Sequence, residues 1–473
     1  MSHLIDDFIR IANERADKVA IITQRNVMTY RLAAHLVASL RAKIVSQNLS
    51  AGARICFYTS RDELNILFIV AMSGLNLALC IGNPEQCAQG GLTLDLIVTD
   101  VKDAASASVR VLLIEPEWFQ NKSAQLDNIR SGFRIASPTS GTTGRVKYIE
   151  RSEQEYCGLL ESISHYPRPE PRQSMVVTIG ETAQWTLAER LGSLLLGHAQ
   201  VYCERDYAAL LHAIDLYKVG VVLTTPAYLD SLFKTQFQTD LLDSVSVLYI
   251  GGALVGEHIL SKAKAVTRAK VVVQYGSTEA GYAAHLDYAP DDFEYGCVGA
   301  VEPVCEIRIV DADANRLAES EIGLVAIRNP RTLTTDHYAG ASGTTSTQFK
   351  DGWFYPGDLG FIKQGRLFIA GRNTEIVNVG GNKIALNRIE GVLRASGCVD
   401  DVCALAITAD NGSEDLCLAY VANNERSLET LTKALHDAKL LVSVSRAKLL
   451  SRLPVNASGK IDKASLRQFF QRG

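Results

Sequence analysis

The sequence predicts an α/β fold in which sheets of parallel strands are covered by helices. With 473 residues the chain is too long for one small core, so two or more domains are expected. Hydrophobic residues make up 47% and charged residues 21%, as in an ordinary globular protein. Short apolar segments alternate with helical patterns along much of the chain, which is typical of parallel sheets. The predicted strands are RICFYTS, DLIVTD, VRVLLIE, MVVTIG, AQVYCE, GVVLTT, SVLYIGG and KVVVQYGS.

Charge, cysteine content and hydropathy disfavour several function classes. The net charge of −4 gives no electrostatic attraction to nucleic acid or to an anionic membrane. The ten cysteines are scattered without a C-x-x-C pair, which favours reduced thiols in a cytoplasmic protein over disulfides or a zinc site. The N-terminus MSHLIDDFIRIANERADKVA is charged from Asp6 onward and predicts an amphipathic helix, not a signal peptide. Ser73, Gly74 and Asn76 interrupt the apolar stretch NILFIVAMSGLNLALCIG, so we expect a buried helix and no membrane span.

The segment SPTSGTTGRVKYIERS, residues 137–152, has little to bury and many groups that bind anions. Its hydroxyls, its glycines with their backbone freedom, and the cations Arg145 and Lys147 suit a phosphate. The alternative is a solvated polar loop, and the segment alone does not decide between the two. The Walker pattern G-x-x-x-x-G-K-[ST] is absent, which disfavours a P-loop kinase or NTPase.

Two predicted strands end in polar residues, at the position where parallel α/β sheets bind their ligands. The first strand runs into Gly251 and Gly252. The second runs into YGSTE, residues 275–279, which offers close backbone approach, a hydroxyl and a hard oxygen ligand for Mg²⁺. The alternative for this second segment is a strand–turn–helix junction with Ser or Thr as the N-cap and Glu in the first turn.

Two segments nearer the C-terminus also carry candidate ligand-binding groups. DGWFYPGDLGFIKQGRLFIAGR predicts a hairpin that turns at Gln364-Gly365, with Asp358 at its entry and Arg372 at its exit. A carboxylate there can accept two hydrogen bonds from the vicinal diol of a ribose, and the alternative is a surface turn with a solvated arginine. LPVNASGKIDKASL puts Lys460 on a polar turn before a helix, where most lysines are simply exposed.

Five segments, in their order and spacing, resemble the motifs of the acyl-adenylate-forming enzymes, which include acyl- and aryl-CoA ligases, adenylation domains and luciferases. They are SPTSGTTGRVK, YGSTEA, WFYPGDLG, GRNTEIVNVGGNKIALNRIE and PVNASGKID. The resemblance covers nearly the whole chain and is closest to stand-alone acyl and aryl acid ligases. It implies a large N-terminal domain, residues 1–373, that binds ATP and the acid. A small mobile α+β lid domain, residues 374–473, would carry the catalytic lysine.

The resemblance implies an AMP-forming acid–thiol ligase. ATP, with Mg²⁺, and a carboxylic acid would form an acyl-adenylate and pyrophosphate. A phosphopantetheine thiol of CoA or of a separate acyl carrier protein would then take the acyl group. We expect no carrier domain in the chain, because only thirteen residues follow Lys460. Two alternatives stay open: an adenylate former with a non-thiol second step, and a non-catalytic adenylate-binding regulatory protein. The joint presence of Glu279, Asp358, Arg372 and Lys460 argues against the regulatory protein.

The roles implied by the family fall on residues of the quoted motifs. Catalysis would use Lys460, which bridges the carboxylate and the adenylate oxygens, Thr278, which contacts the α-phosphate, and Glu279, which also holds Mg²⁺. ATP and AMP would be bound by Thr139, Ser140, Gly141, Thr142, Thr143, Gly144, Lys147, Gly251, Gly252, Ala253, Tyr275, Gly276, Ser277, Asp358 and Arg372. Thr374 would be the hinge, although relatives usually have Asp or Lys there, and Gly380-Gly381 would line the tunnel for the thiol.

The resemblance also implies a pocket for the acid, formed by Gln184, Trp185, Tyr249, Gln274, Tyr282 and Ala283. In amino-acid-activating relatives an aspartate at the position of Gln184 pairs with the substrate ammonium. A buried ammonium without a carboxylate costs several kcal/mol, so we do not expect an α-amino acid. Three aromatic walls and two glutamine amides suit a compact aryl or short acyl acid better than a long fatty chain. The alternative is that these aromatic side chains are ordinary core.

Overall fold

The structure is a computed structural model that describes residues 3–101, 109–120, 126, 129–139, 146–164, 174–203, 206–332, 337–340, 348–373, 376–379, 382–408, 414–454 and 461–471. These residues form a mixed α/β fold, as predicted. A six-stranded sheet and a fifteen-stranded sheet are covered by helices, and the C-terminal part has two small sheets of its own.

The six-stranded sheet lies in the N-terminal part of the chain. Its strand order is β6-β5-β3-β4-β7-β8, and all neighbours are parallel except the last pair, β7 and β8. The elements in this part are α1 (Leu4–Glu14), β1 (Val19–Ile22), β2 (Val27–Thr29), α2 (Tyr30–Val45), β3 (Arg54–Tyr58), α3 (Glu63–Met72), β4 (Ala78–Cys80), α4 (Pro84–Gln89), β5 (Leu96–Thr99), β6 (Arg110–Leu113), β7 (Arg134–Thr139), β8 (Lys147–Ser152) and α5 (Glu153–Ser164).

The middle of the chain builds most of the large sheet. Its elements are β9 (Ser174–Val177), α6 (Gln184–Leu195), β10 (Gln200–Val201), α7 (Tyr207–Leu216), β11 (Val219–Thr224), α8 (Pro226–Phe233), β12 (Val247–Gly251), α9 (Glu257–Val266), β13 (Lys270–Ser277), β14 (Gly281–Asp287), β15 (Cys297–Val301), β16 (Glu306–Val310), β17 (Gly323–Arg328), β18 (Phe349–Lys350), β19 (Trp353–Phe354), β20 (Asp358–Lys363) and β21 (Arg366–Arg372). The strand order is β18-β19-β17-β20-β21-β15-β14-β13-β12-β11-β9-β10-β1-β2, with β16 on β17. Pairing is parallel from β1 to β13 along this path and antiparallel beyond it.

The large sheet buries both of its faces, and side chains alternate between them along each strand. Leu248, Val271 and Val273 pack in a cluster with apolar residues of α7, α8 and α9. Tyr249 and Val272 point to the other face, in a cluster with apolar residues of α1, α2, α3, α5 and α6. The cluster on this second face also contains apolar residues of the six-stranded sheet.

The prediction of one buried helix over residues 65–82 is wrong. Helix α3 ends at Met72, Gly74 turns with a φ of +74°, and the chain returns as strand β4 from Ala78 to Cys80. Both elements are buried on every side, so neither shows its own polar and apolar periodicity in the sequence. The amphipathic N-terminal helix is confirmed as α1. No helix among the described residues is long and apolar enough to cross a membrane, and none of the ten cysteines, all of which are described, forms a disulfide.

The C-terminal part has its own sheets and its own apolar core. Its elements are β22 (Ile376–Val379), β23 (Asn382–Ala385), α10 (Leu386–Ala395), β24 (Asp401–Thr408), β25 (Glu414–Val421), α11 (Leu428–Asp437), β26 (Arg446–Leu449) and α12 (Lys463–Gln471). Where described, these strands pair only with one another, in the sheets β22-β23 and β24-β25-β26. Helix α10 contacts the part of the chain that precedes residue 374, because the Tyr295 hydroxyl donates to the carbonyl oxygen of Asn387 at 3.1 Å. The domain boundary at residue 373 stays a prediction.

Candidate active site

The predicted phosphate segment joins two strands of the six-stranded sheet. Strands β7 and β8 pair antiparallel, and the last pair of residues is Thr139 opposite Lys147. The backbone therefore brings the two ends of the Ser/Thr/Gly segment together, with a buried Thr139 and a partly buried Lys147 on either side. The predicted nucleotide-binding residues between them lie outside the described residues; they are Ser140, Gly141, Thr142, Thr143 and Gly144.

The YGSTEA segment forms the turn of a hairpin, and the alternative of a helix N-terminus is wrong. Strand β13 extends through Ser277 and β14 begins at Gly281, so Thr278 and Glu279 lie in the turn between them. The Ser277 hydroxyl accepts a hydrogen bond from the backbone of Ala280 at 3.0 Å, and Gly281 has a φ of +73°. Serine satisfies backbone donors in a turn as well as at a helix N-cap, so the local sequence signal is the same for both.

A fully buried arginine on β8 holds this turn in place. The Arg151 guanidinium donates to the carbonyl oxygens of Thr278, of Glu279 at 2.6 Å and of Thr332 at 3.1 Å. A planar guanidinium fixes several acceptors in one geometry. The backbone that carries Glu279 is therefore anchored to the same strand that begins with Lys147.

The carboxylate of Glu279 is linked to the ammonium group of Lys147 through two further side chains. The Tyr338 hydroxyl lies 2.9 Å from Oε1 of Glu279 and 2.9 Å from Oε1 of Gln348. Nζ of Lys147 donates to that same Gln348 oxygen at 3.2 Å and lies 4.6 Å from the centre of the Tyr338 ring. Burial and the charge of Glu279 raise the pKa of Tyr338, so its phenol stays protonated and donates. The predicted metal ligand and the predicted phosphate-binding lysine thus belong to one hydrogen-bonded group.

The predicted ribose site lies at the open end of the β20–β21 hairpin. The turn at Gln364 and Gly365 is confirmed, with φ values of +52° and +73°, and the register pairs Asp358 with Arg372. Nε of Arg372 donates to Oδ1 of the buried Asp358 at 2.8 Å, and the Tyr275 hydroxyl donates to Oδ2 at 2.6 Å. Each carboxylate oxygen keeps a further lone pair, so Asp358 can still accept hydrogen bonds from a diol.

Glycines permit close approach at two of the predicted nucleotide-binding positions. A Cβ at Gly251 would lie 2.7 Å from Cη2 of Trp185, so the indole closes directly on the end of β12. A Cβ at Gly276 would lie 2.3 Å from the carbonyl oxygen of Gly281 in the facing strand. The two residues after β12, Gly252 and Ala253, are exposed, and Gly252 has a φ of +83°.

The predicted acid pocket contains buried polar groups without partners. Gln274 is only 6% exposed, and neither its Nε2 nor its Oε1 makes a hydrogen bond. Gln184, the first residue of α6, accepts a hydrogen bond from the Ser137 hydroxyl, but its Nε2 makes none of normal geometry. Nε1 of Trp185 also has no acceptor. An unpaired buried polar group costs about 1–3 kcal/mol, so a ligand with matching donors and acceptors would relieve this cost.

The structure does not bring all the predicted pocket residues together. Tyr249 and Tyr282 lie in the same hydrophobic cluster as α6, and the Tyr282 hydroxyl donates to Glu189 on that helix at 2.8 Å. Both tyrosines are buried, which fits ordinary core as well as a pocket wall. Ala283 packs in a different cluster, which also contains Ile149.

Four further predicted residues lie outside the described residues: Lys460, Thr374, Gly380 and Gly381. Their flanks are described. The backbone N–H of Asp462 donates to the carbonyl oxygen of Pro454 at 2.8 Å, and α12 follows as predicted. Val379 pairs with Asn382 across the β22–β23 hairpin, on either side of the two glycines.

The donor set around Glu279 fits Mg²⁺. Among the described residues, no group of three or more His, Cys, Asp or Glu side chains could hold a metal ion. A single buried carboxylate suits Mg²⁺, which keeps several waters and takes phosphate oxygens as its other ligands. Structural and catalytic zinc sites and copper sites are built mainly from several nitrogen or sulfur ligands.

Sequence reasoning missed Arg151, Tyr338 and Gln348. Arg151 lies inside the quoted segment 137–152, but its neighbours in the chain are Glu150 and Ser152, so no hydrophobic neighbour marks it as buried. Tyr338 and Gln348 flank a polar stretch without helical or strand periodicity, so no local pattern points to them. Their contacts join residues that are far apart in the chain.

Comparisons with known proteins agree with this geometry. Residues 136–335 match the family model described as AMP-binding enzyme. Indoleacetate–CoA ligase of Aromatoleum aromaticum is 27% identical over 351 residues, which cover 71% of this chain and 66% of that protein. Salicylyl-CoA synthase/salicylate adenylyltransferase of a Streptomyces species is 28% identical over 360 residues, 70% of this chain and 61% of that protein. The chain thus spans less than two thirds of the length of these two curated relatives.

The solved structure of the amide bond synthetase McbA from Marinactinospora thermotolerans matches with a TM-score of 0.84 at 20% identity, over 99% of this chain and 100% of that one. At this identity the likeness concerns the fold. Residues 136–335 are therefore similar to the AMP-binding enzyme family, and the chain shares its fold over nearly its whole length with that amide bond synthetase.

Proposed function

We propose that the protein activates a carboxylic acid with ATP, forming an acyl-adenylate and pyrophosphate, and then transfers the acyl group to a phosphopantetheine thiol. One observation carries this proposal: side chains of three distant motifs form two hydrogen-bonded groups, one on strand β13 and one at the turn that follows it. Glu279 and Lys147 are linked through two intervening side chains, and Asp358 is bound by Tyr275 on the strand that leads to Glu279. A phosphate-binding cation, a carboxylate for Mg²⁺ and a carboxylate for a diol together suit a nucleoside triphosphate.

In the first step, a carboxylate oxygen of the acid attacks the α-phosphorus of ATP, and pyrophosphate leaves. Both reactants are anions, so cations and hydrogen-bond donors must offset their repulsion and stabilise the developing charge. Lys147 would bind the departing phosphates, Asp358 would orient the ribose, and Lys460 would bridge the acid and the α-phosphate. Glu279 would hold Mg²⁺, which supplies positive charge at the phosphates when bound.

We propose a compact aryl or short acyl acid as the substrate. The Trp185 ring closes on Gly251 and makes a flat wall, and the unpaired amide of Gln274 offers both donors and an acceptor. The relatives named above are named for indoleacetate and for salicylate, both aromatic acids. No carboxylate replaces Gln184 at the start of α6, so an α-amino acid would leave its ammonium unpaired.

For the second step we propose a thiol acceptor, either CoA or a separate carrier protein. The names of the relatives favour CoA. Amide formation is the alternative, because the fold is shared with an amide bond synthetase, and a fold alone does not select an acceptor. A protein that only binds adenylates is disfavoured, because such a protein would not need Lys460.

Exchange of labelled pyrophosphate into ATP tests the first step. The panel comprises benzoate, hydroxybenzoates, cinnamates, short and long fatty acids, and the common amino acids. We expect acid-dependent exchange that is fastest with a compact aryl acid. Fastest exchange with a long-chain fatty acid or an α-amino acid would overturn the substrate class, and no exchange with any acid would overturn the function. Separate additions of CoA, a phosphopantetheinylated carrier protein and an amine then identify the acceptor.

A further inference from the structure

We propose that Tyr338 and Gln348 are positioning residues that fix the Mg²⁺ ligand Glu279 relative to the phosphate-binding Lys147. The inference rests on the proposed function, because it assigns ATP and Mg²⁺ to these two groups. It concerns side chains outside every motif that the sequence singles out. Their role is to hold a carboxylate and an ammonium group at a set separation before the nucleotide binds.

The hydrogen-bond chemistry of the pair has one consistent assignment. The Lys147 ammonium can only donate, so the amide oxygen of Gln348 must face it at 3.2 Å. That same oxygen lies 2.9 Å from the Tyr338 hydroxyl, which also lies 2.9 Å from Oε1 of Glu279. The single phenol proton is therefore shared between an amide oxygen and a carboxylate oxygen. The amide nitrogen of Gln348 points the other way and donates to the carbonyl oxygen of Tyr355 at 3.4 Å, which fixes the orientation of the amide.

Ring packing and backbone contacts of its neighbours hold Tyr338 in place, as a positioning role requires. Its ring packs edge-on against Phe349, with 5.3 Å between ring centres. The next residue, Ala339, donates its backbone N–H to the carbonyl oxygen of Tyr148 at 2.8 Å, and Tyr148 directly follows Lys147 in β8. Gly340 follows with a φ of +77°, and a Cβ there would lie 2.7 Å from the carbonyl oxygen of Gly90. The tyrosine is thus held by a backbone hydrogen bond from the next residue to β8, the strand that carries Lys147.

Tyr338 and Gln348 should differ in their effects on the binding of Mg²⁺-ATP and of metal-free ATP. Hydrogen bonds to a metal-ligating carboxylate orient it, and their loss commonly weakens metal binding or activity by about 10–100-fold. Tyr338 should therefore affect the binding of Mg²⁺-ATP and not that of metal-free ATP. Gln348 holds the lysine, which contacts phosphates in both forms, so its loss should weaken both.

Calorimetric titration of the full-length protein with ATP, in Mg²⁺ and in EDTA, tests this difference without relying on activity. We expect Tyr338→Phe to weaken binding of Mg²⁺-ATP by about 10-fold or more and to leave binding of metal-free ATP unchanged. Gln348→Met, which keeps the length of the side chain, should weaken both forms by a similar factor. Because the two residues share a hydrogen bond, the affinity of the double variant for Mg²⁺-ATP should fall by a smaller factor than the product of the factors for the two single variants.

Tyr288→Phe is the matched control. Tyr288 and Tyr338 are both 5% exposed, and Tyr288 loses only a neutral hydrogen bond to Ser261 in the cluster on the other face of the large sheet. The inference is overturned if Tyr338→Phe binds Mg²⁺-ATP like this control, or if it weakens both forms of ATP equally. If the wild-type protein binds Mg²⁺-ATP but exchanges pyrophosphate with no acid, the proposed function fails while the titrations still decide the inference. Absence of ATP binding in the wild type would overturn both.

Discussion

The candidate site has a proposed nucleotide side, with Glu279, Asp358 and Lys147, and a proposed acid side, with Gln274 and Trp185. The two sides differ in whether their buried polar groups have hydrogen-bond partners. On the nucleotide side, Glu279, Asp358 and Lys147 have protein partners at 2.6–3.2 Å. On the acid side, both ends of the Gln274 amide and the indole nitrogen of Trp185 have none. The two sides are adjacent, because Gln274 immediately precedes Tyr275, the residue that binds Asp358.

The difference indicates which side has its hydrogen bonds formed before a ligand binds and which side lacks hydrogen bonds that a ligand would supply. A hydrogen bond to a charged group contributes about 1.5–3 kcal/mol, whereas a buried polar group without a partner costs about 1–3 kcal/mol. The nucleotide side is therefore organised in advance, as electrostatic catalysis requires. We propose that the acid side leaves its hydrogen bonds for the substrate, since sites of this kind reject analogues that lack the matching group.

Loss of Lys460, the proposed catalytic cation, should give the largest effect. We expect Lys460→Ala to slow acid-dependent pyrophosphate exchange by at least about 100-fold, the scale of deleting one preorganised charge. The variant should still transfer the acyl group from a pre-made acyl-adenylate, because the lysine serves the first step. Lys433→Ala, an exposed lysine on α11, is the control. Normal exchange in Lys460→Ala would show that the assigned role is wrong.

Loss of the Asp358 carboxylate, which has protein partners, should give a smaller effect, and this effect should be limited to the binding of ATP. We expect Asp358→Asn to raise the KM for ATP by about 10–100-fold, because it removes the charge that Arg372 and Tyr275 hold in place. Asp292→Asn removes the charge of an aspartate whose side chain is 66% exposed and which pairs with Arg366 beside the turn of the same hairpin, so it should change little. An unchanged KM for ATP in Asp358→Asn would remove the ribose assignment.

Loss of an unpartnered amide on the acid side should give the smallest effect on activity and an opposite effect on stability. We expect Gln274→Leu to raise the KM for a hydroxylated aryl acid by about 10-fold and to leave the KM for ATP unchanged. The free energy of unfolding should stay the same or rise by about 1 kcal/mol, because the unpaired amide disappears.

Gln200→Leu is the control for this variant, since Gln200 is a fully buried glutamine on β10 of the same sheet. Chemical denaturation and exchange kinetics measure both quantities. A clear loss of stability in Gln274→Leu would show that the amide has a structural partner, and the contrast between the two sides would then be wrong.

The sequence predicts the backbone geometry of the proposed nucleotide side wherever local rules determine it. A turn at Gln364-Gly365 fixes the register of its hairpin, and that register alone places Asp358 opposite Arg372. The phosphate segment and the glycine at the end of β12 also lie at the strand ends where α/β sheets bind ligands.

The sequence does not predict contacts that depend on tertiary packing. Tyr338 reaches Glu279 across 59 positions, and Lys147 reaches Gln348 across 201 positions. No periodicity or turn rule spans such distances. The hairpin turn after β13 and the strand after α3 were hidden for a different reason, since a serine-capped turn looks like a helix start and a fully buried strand looks like a buried helix.

Oxygen-isotope transfer tests the central claim, activation of the acid through its adenylate, most directly. The acid is labelled with ¹⁸O in both carboxylate oxygens and incubated with ATP, Mg²⁺, the protein and a thiol acceptor. One labelled oxygen attacks the α-phosphorus and stays on AMP when the thiol displaces it from the acyl carbon. Mass spectrometry should therefore find one ¹⁸O in AMP, unlabelled pyrophosphate, and one ¹⁸O in the thioester. AMP without the label, or the label in inorganic phosphate together with ADP, would contradict the account.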